Sequence, residues 1–239
     1  MNRKLLIPAL LIFVGIGWTI KRAIPPKPRA KVPVVRYHGY ALNRAAIAQA
    51  KSFTVLISVE GFGTGRGTGV LIDSTHVLTC AHMTEGPKDD MWIFPYPGRV
   101  VIKGRPVFVS RGDDLAILEL DRVVPLEHYA TFQETCYDGE PITIIGNILG
   151  SMQWFVSFGI ISGDYNGFLL TDGLIKGGNS GGPWINEKGE VVAITDWGLV
   201  HKGMDVGISG GVSAKTIRAF IKRWKTPSLG DVLQMMLGG

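Results

Sequence analysis

The stretch 176-KGGNSGGPW-184 places a single serine hydroxyl among four glycines, an asparagine and a proline. Glycine reaches backbone conformations that other residues avoid, so this run can form either an ordinary tight turn or a loop whose backbone amides converge on one point. A loop of the second kind would suit a nucleophilic Ser180, because an attacking serine needs both a base and hydrogen-bond donors for the oxyanion that it creates. The segments on either side of the loop bear on that choice.

Short β-rich segments separated by turn residues make up most of the chain around the loop. Seven of them lie before residue 121: FTVLISVEG, GTGVLID, HVLTCAH, DMWIFPY, RVVIKG, RPVFVS and DLAILEL. Six more follow residue 138: EPITIIG, QWFVSFGIIS, GFLLTD, GPWIN, EVVAITDWG and DVGISGGV. Residues 121–139 carry no strand pattern and divide the two sets. Many short strands with turns between them predict an all-β fold, here two antiparallel β-barrels joined by one linker.

Helices are predicted at both ends of the barrel region. The stretch ALNRAAIAQAK before the first strand looks helical, and Ser213 is a plausible N-cap for a second helix after the last strand. That helix carries an apolar stripe at i, i+3, i+4 and i+7, which predicts a docking face. The stripe consists of Ile217, Phe220, Ile221 and Trp224. The glycine-rich stretch 61-GFGTGRGTG-69 does not match G-x-G-x-x-G and lies between strands, so we interpret it as a hairpin.

A base and an orienting acid for Ser180 have to come from elsewhere in the sequence. His82 ends a predicted strand in the small-residue context 77-VLTCAHM-83, whereas the other four histidines lie near the linker, before a strand or in loops. The segment 113-DDLAILEL-120 places two acids at the start of an apolar strand. Each feature alone has an ordinary structural interpretation, since a histidine at a strand end is often only hydrogen-bonded. Together they point to nucleophilic catalysis.

The motifs TCAH, DDLAIL and GNSGGP, in the order His, Asp, Ser, resemble those of the chymotrypsin-fold serine proteases. The resemblance is greatest to the HtrA-like (Deg) trypsin-like peptidases, because TD precedes GNSGG at their spacing and GEVVAI follows it. It covers about residues 52–225 and implies a serine endopeptidase acting on polypeptides. His82 would be the general base and then acid, Asp114 would orient it, and Ser180 would be the nucleophile. Asp113 is then a solvated neighbour.

The same resemblance implies an oxyanion hole and a substrate pocket. The hole would be formed by the amides of Gly178 and Ser180, with Asn179 between them. Leu174 would floor the pocket, and the absence of an acid there predicts cleavage after apolar residues rather than after Lys or Arg. The pocket walls would come from Thr195, Asp196, Trp197, Gly198 and Gly207. The backbone of residues 195–198 would pair with the substrate as an added strand, while an inward-pointing Asp196 or Asp205 would turn the preference basic.

Two departures from the family pattern and two alternatives remain. Asn179 stands where digestive relatives carry an acid that pairs with a newly cut N-terminus, so activation by that ion pair is not expected. Fourteen residues follow Lys225, too few for the PDZ domain of many HtrA relatives.

The chain could instead be a protease-fold module that binds peptides without turnover, or a viral or phage processing protease with a narrow target. The chemistry requires no metal or cofactor, and a homo-oligomer stays open.

The formal net charge of +5 arises at the beginning of the chain. Residues 1–36 contain eight of the 25 basic residues and none of the 20 acidic ones, which leaves a formal charge of −3 on the remainder. Because the body is mildly acidic, no nucleic-acid partner is predicted.

Residues 5–20, LLIPALLIFVGIGWTI, are uncharged and flanked by cations, which is typical of a membrane anchor or a signal-peptide core. No small-x-small cleavage site follows, so a single-pass N-terminal anchor that contacts the membrane through residues 5–20 is favoured. The cations after this run favour a cytoplasmic body by the positive-inside rule, but large domains can translocate against that bias. We prefer an extracytoplasmic domain, and both sides stay open.

These patterns divide the chain into an anchor or signal segment (1–22), a Pro-rich basic linker (23–40), a trypsin-like serine protease domain (41–225) and a tail (226–239). Within the domain we expect barrel 1 over about residues 52–120 and barrel 2 over about residues 139–212. Cys80 and Cys136 could pair, but two thiols make no disulfide framework, and both are better explained as small buried residues.

Overall fold

A computed structural model of the chain describes residues 43–58, 66–85, 91–201 and 203–226. The predicted anchor and linker, residues 61–65 of the glycine-rich stretch and the tail beyond residue 226 lie outside the described residues. Within the described ranges, neither helix has the length and hydropathy that a membrane crossing needs.

Barrel 1 is a closed sheet of six antiparallel strands in the order β1-β2-β3-β6-β5-β4. They are β1 (Thr54–Ser58), β2 (Arg66–Leu71), β3 (His76–Thr79), β4 (Met91–Pro95), β5 (Ile102–Ser110) and β6 (Leu115–Leu120). The two predicted segments RVVIKG and RPVFVS were wrongly separated, because they form the single strand β5. Pro106 cannot donate to the ladder, and a register shift between Pro106 and Phe108 lets the strand continue past it.

Barrel 2 is a second closed sheet of six antiparallel strands, in the order β10-β11-β12-β9-β8-β7. They are β7 (Pro141–Ile148), β8 (Met152–Tyr165), β9 (Phe168–Thr171), β10 (Pro183–Ile185), β11 (Val191–His201) and β12 (Met204–Ser213). The connection between the barrels is irregular apart from one bridge between Phe132 and Val191. The prediction of an all-β fold with two antiparallel barrels is confirmed.

Two helices flank the barrels, as the sequence predicts. Helix α1 (Arg44–Phe53) begins after Asn43, whose side chain accepts hydrogen bonds from two backbone amides of the first turn. Helix α2 (Ala214–Lys225) begins after Ser213, whose hydroxyl accepts a hydrogen bond from Thr216 N. The apolar stripe of α2 does act as a docking face, with Ile217 and Phe220 fully buried.

Helix α2 follows barrel 2 but packs its aromatic side chains on barrel 1. The ring centroids of Phe220 and Phe108 are 5.1 Å apart, and those of Trp224 and His76 are 4.6 Å apart. The helix therefore ties the end of barrel 2 to strands β3 and β5 of barrel 1, which helps to hold the two barrels together.

A buried hydroxyl joins the two barrels where the glycine-rich loop lies. Thr68 in β2 donates its Oγ1 proton to Gly178 O at 2.7 Å, and the same oxygen accepts from Asn147 N and Asn147 Nδ2, both at 3.1 Å. Thr68 N donates to Ser180 O at 2.8 Å. A hydroxyl has one proton and two lone pairs, so all the hydrogen-bonding capacity of Thr68 Oγ1 is used. Barrel 1 thereby holds a loop that belongs to barrel 2.

Candidate active site

Two of the glycines around Ser180 occupy positions where a side chain would not fit. Gly178 has φ +97° and Gly181 has φ +83°, both in the left-handed region that favours glycine. A Cβ at Gly178 would lie closer than 3.0 Å to the Asn147 carbonyl oxygen, and one at Gly181 would overlap Thr68 O. The loop is therefore not an ordinary flexible turn, because close backbone contacts with both barrels determine its shape.

The backbone amides of Gly178 and Ser180 differ from those of their neighbours Asn179 and Gly181. Asn179 N donates to Lys176 O at 3.0 Å, and Gly181 N donates to Thr195 O at 2.9 Å. In the part of the chain that the structure describes, neither Gly178 N–H nor Ser180 N–H donates to a protein acceptor. The two amides on either side of Asn179 are thus available to a bound group, as the sequence-based prediction of an oxyanion hole requires.

His82 lies in a one-turn 3-10 helix (Ala81–Thr84) just after β3, and not at the end of that strand as predicted. Asp114 lies between β5 and β6, and its φ of +49° is unusual for a residue other than glycine. Its carboxylate holds His82 at two points. Asp114 Oδ1 accepts from His82 N at 2.9 Å, and Oδ2 lies 2.6 Å from His82 Nδ1. The backbone is fixed too, since Ala81 N donates to Asp114 O at 3.1 Å.

This pairing shifts the pKa values of both groups. The hydrogen bond to Asp114 raises the pKa of His82 and outweighs burial, which lowers it. Burial acts to raise the pKa of Asp114, but its hydrogen bonds, first of all the one from His82, outweigh burial and lower it. Asp114 is therefore a carboxylate that accepts the Nδ1 proton, and the Nε2 lone pair of a neutral His82 is left as the basic atom.

One backbone carbonyl connects the His82 turn to the Ser180 loop. Thr195 O accepts the Gly181 amide at 2.9 Å and the Cys80 thiol at 3.1 Å. Gly181 follows Ser180 directly, and Cys80 precedes His82 by two residues. The structure thus brings the predicted nucleophile loop, the histidine and the acid to one place between the barrels.

Sequence reasoning missed the environment of two further acids. It assigned Asp196 to a pocket wall, whereas an oxygen of the Asp196 carboxyl lies within 4.8 Å of an oxygen of the Asp114 carboxyl, and this proximity affects the pKa values of both groups. Asp113 is not a merely solvated neighbour, because it accepts from Ser110 Oγ at 2.7 Å and forms an ion pair with Arg223 of α2. The proximity of Asp196 to Asp114 and the ion pair of Asp113 with Arg223 have no local signal in the sequence, since the two residues of each pair lie far apart in the chain.

The donor atoms of Cys80, His82, Asp114 and Asp196 lie within 4.8 Å of one another. Each of the four already has a partner within the protein. Cys80 donates to the Thr195 carbonyl, His82 is paired with Asp114, and Asp196 lies next to the Asp114 carboxyl. We treat this cluster as a hydrogen-bonded network and assign no metal ligands to it.

The predicted pocket residues fall into two groups. Leu174 is 46% exposed, and Gly198 and Gly207 are exposed as well, with Gly207 at φ +73°. Thr195 is buried instead, and its hydroxyl accepts the Trp184 indole proton at 2.8 Å, so its side chain faces the core of barrel 2.

Three neighbouring features complete the pocket region. Asp205 is exposed and forms an ion pair with Lys176, and it also accepts from Gly207 N at 2.8 Å. Trp197 is half-buried and covers Gly210, where a Cβ would overlap the indole ring. Both backbone groups of Thr195 bond within the protein, because Thr195 N donates to Gly182 O at 2.8 Å. Thr195, which the sequence placed in the segment that pairs with substrate, therefore has no backbone group free for a peptide strand.

Comparison with known proteins places this geometry in context. The family described as "Trypsin-like peptidase domain" matches residues 67–194. A protein of Rickettsia conorii named "Probable periplasmic serine endoprotease DegP-like" is 30% identical over 125 residues, which are 47% of this chain and 24% of that protein. A "Probable periplasmic serine protease do/HhoA-like" of Haemophilus influenzae is 27% identical over 187 residues, or 73% of this chain and 39% of that protein.

Among solved structures, the serine endoprotease from Yersinia pestis superposes with a TM-score of 0.66 and 24% identity, over 76% of this chain and 65% of that one. At this identity the likeness concerns the fold alone. The chain spans well under half the length of the two curated relatives. The matches agree with the resemblance that the motifs indicate.

Proposed function

The chain belongs to the family of trypsin-like peptidase domains, and on that basis we propose that it is a serine endopeptidase with Ser180, His82 and Asp114 as its catalytic triad. The observation that carries the proposal is that Asp114 makes two hydrogen bonds to His82, one to its backbone amide at 2.9 Å and one to Nδ1 at 2.6 Å. This arrangement selects the imidazole tautomer whose Nε2 can take a proton.

The first chemical step would be attack of Ser180 Oγ on the substrate carbonyl carbon while His82 Nε2 takes the hydroxyl proton. The electron pair of the carbonyl moves onto its oxygen, and the Gly178 and Ser180 amides donate to that oxyanion. Preorganised donors of this kind contribute about 10²–10³ in kcat each, because they need no rearrangement when the charge develops.

Collapse of the tetrahedral intermediate would break the peptide bond, with His82 giving its proton to the leaving amine nitrogen. Water then attacks the acyl-enzyme with the same groups in the same roles, which releases the acid and restores Ser180. Asp114 stays ionised and stabilises the imidazolium of His82 in both halves of the reaction.

Labelling with a fluorophosphonate, which reacts covalently with an activated serine, tests this assignment on the full-length protein. We expect labelling and peptide hydrolysis with the natural chain and neither with Ser180→Ala. His82→Ala and Asp114→Ala should each lower kcat by orders of magnitude, and double variants should lose little more, because the three residues act as a unit. A folded protein that binds peptides but neither hydrolyses them nor reacts would instead be a binding module.

For the substrate we propose an apolar side chain before the cut. Leu174 offers a partly exposed apolar floor, and Asp205 already has Lys176 as its partner. Burying the ammonium group of a substrate lysine against an apolar floor would cost about several kcal/mol, because the charge loses its hydration without gaining a partner. Profiling a peptide library by mass spectrometry should show cleavage after Val, Ile, Leu, Met or Phe. Dominant cleavage after Lys or Arg would contradict this pocket assignment.

For localisation we propose an extracytoplasmic protease domain tethered through residues 5–20. The uncharged run supports the tether, and the relatives named as periplasmic support the side. Full-length protein should stay with membranes after a high-salt wash, because salt screens the basic tail but does not release an inserted segment. Release by salt would argue against insertion.

A further inference from the structure

Asp196 occupies an irregular position in its strand. The ladder between β11 and β12 pairs Thr195 with Gly211 and Trp197 with Gly210, so Asp196 is the extra residue of a β-bulge. Bulges redirect side chains and are frequent beside active sites. Here the half-buried Asp196 places a carboxyl oxygen within 4.8 Å of the Asp114 carboxyl and the His82 ring.

An oxygen of Asp196 lies within 4.8 Å of an oxygen of Asp114, and two half-buried carboxylates this close repel each other, so the pair is favoured when one of them carries a proton and donates it to the other. Both oxygens of Asp114 already accept from His82. Asp114 is therefore the carboxylate of the pair, and Asp196 is the carboxylic acid that donates.

We propose that Asp196 is a positioning residue of the peptidase reaction, whose protonated carboxyl donates to Asp114 and so fixes the acceptor of the His82 Nδ1 proton. This inference rests on the proposed function, since it assigns Asp196 a part in that reaction. In this role the Asp196 side chain acts through Asp114.

The titratable groups that face Asp196 from the described elements are Asp114, His82 and Cys80. Burial raises the pKa of Asp196 to about 7, and the hydrogen bond and negative charge of Asp114 act in the same direction, while His82 opposes them. The donated proton is thus held at acidic pH and lost as pH rises through neutrality. Above that point two carboxylates lie side by side, and Asp114 loses its donor.

Two variants separate this role from simple packing. Asp196→Asn keeps a donor of the same shape, since its amide can donate to Asp114 at every pH. Asp196→Ala removes the donor. At pH 6.5 we expect Asp196→Ala to lower kcat about tenfold with KM within a factor of about two, from the loss of one hydrogen bond to a charged group. Asp196→Asn should stay within about threefold of the natural protein.

The pH profile provides the sharper test, because a residue needed only for packing would not change it. Above pH 8 the kcat of the natural, full-length protein should fall towards that of Asp196→Ala, whereas Asp196→Asn should keep its activity. Thermal unfolding checks that each variant is folded, and the comparison of the natural protein with Asp196→Asn does not depend on the alanine variant.

The outcomes separate two failures. If the natural protein hydrolyses peptides in a Ser180-dependent manner but both Asp196 variants share its kcat and pH profile, the positioning role is wrong and the proposed function stands. If the natural protein shows no Ser180-dependent reaction with peptide or fluorophosphonate, the proposed function is wrong, and the role of Asp196 in that reaction falls with it.

Discussion

Replacing Gly178 by alanine tests whether the shape of the nucleophile loop produces activity. The residue has φ +97°, where an L-residue costs about 1–2 kcal/mol. The added Cβ would also lie within 3.0 Å of Asn147 O, at 3.3 Å from Asn147 C and 3.1 Å from Leu149 N. All three are backbone atoms that cannot rotate away, so the loop itself has to shift.

That shift should displace the Gly178 amide from the proposed oxyanion position. Loss of one such donor costs about 2.7–4 kcal/mol in the transition state, which is about 10²–10³ in kcat. We therefore expect Gly178→Ala to lower kcat by at least about two orders of magnitude while KM changes by much less. The midpoint of thermal unfolding should fall as well, since the strain is present without substrate.

Gly177→Ala is the matched control, because it adds the same methyl group one residue earlier. A Cβ at Gly177 has nothing within 4 Å, and the Gly177 carbonyl can keep its 2.7 Å bond from Leu149 N. Steady-state peptide hydrolysis and fluorophosphonate labelling rates of the two full-length variants should be compared with their unfolding midpoints. If folded Gly178→Ala retained kcat within about threefold of Gly177→Ala, the reasoning on the loop would be refuted.

Three other changes have expected outcomes. Thr68→Val should lower the free energy of unfolding by about 2–3 kcal/mol in denaturant titrations, because Gly178 O and two Asn147 donors lose their partner. Thr68→Ser keeps the hydroxyl and should retain most of the natural stability, and equal stabilities of the two variants would contradict the role of the Thr68 hydroxyl in joining the barrels. The pKa of Asp196 is raised from 3.8 to about 7 in the folded state. The protonated Asp196 therefore contributes fully to stability below pH 3.8, and this contribution is lost as the pH rises through about 7. The stability gain of Asp196→Asn over the natural protein should hence grow by about 1–2 kcal/mol between pH 5 and pH 8, allowing for partial solvent screening; a constant difference would argue against the buried acid. Burial raises the pKa of the Cys80 thiol, so iodoacetamide should modify it only after unfolding, and mass spectrometry finding modification of the native protein would contradict its burial.

The strands and the paired residues of the site were predictable because their signals are local. Apolar segments of four to nine residues between turns define most strands, and TCAH and DDLAIL place His82 and Asp114 next to strands that pair, since β3 lies beside β6. Two residues separated by about thirty positions thus become neighbours through the sheet register alone. The one misjudged strand, β5, contains Pro106, which reads as a break until the bulge that accommodates it is seen.

The contacts that sequence reasoning missed depend on register irregularities and on packing between distant segments. The direction of the Asp196 side chain follows from a bulge, and one residue more or less in that bulge would reverse it. Asp113 pairs with Arg223 only because α2 packs across to barrel 1. Neither alternation nor motif spacing contains this information.

The junction at Thr68 gives the division into two barrels a chemical consequence. Barrel 2 contributes the serine loop, yet the carbonyls of Gly178 and Ser180 are held by the hydroxyl and amide of a residue in barrel 1. Barrel 1 contributes His82 and Asp114, yet an acid of barrel 2, Asp196, lies within 4.8 Å of the Asp114 carboxyl. Each barrel therefore positions a group of the proposed site that the other barrel contributes. A change that loosens the contact between barrels should disturb the proposed oxyanion donors and the proposed orienting carboxylate together, even if both cores stayed intact.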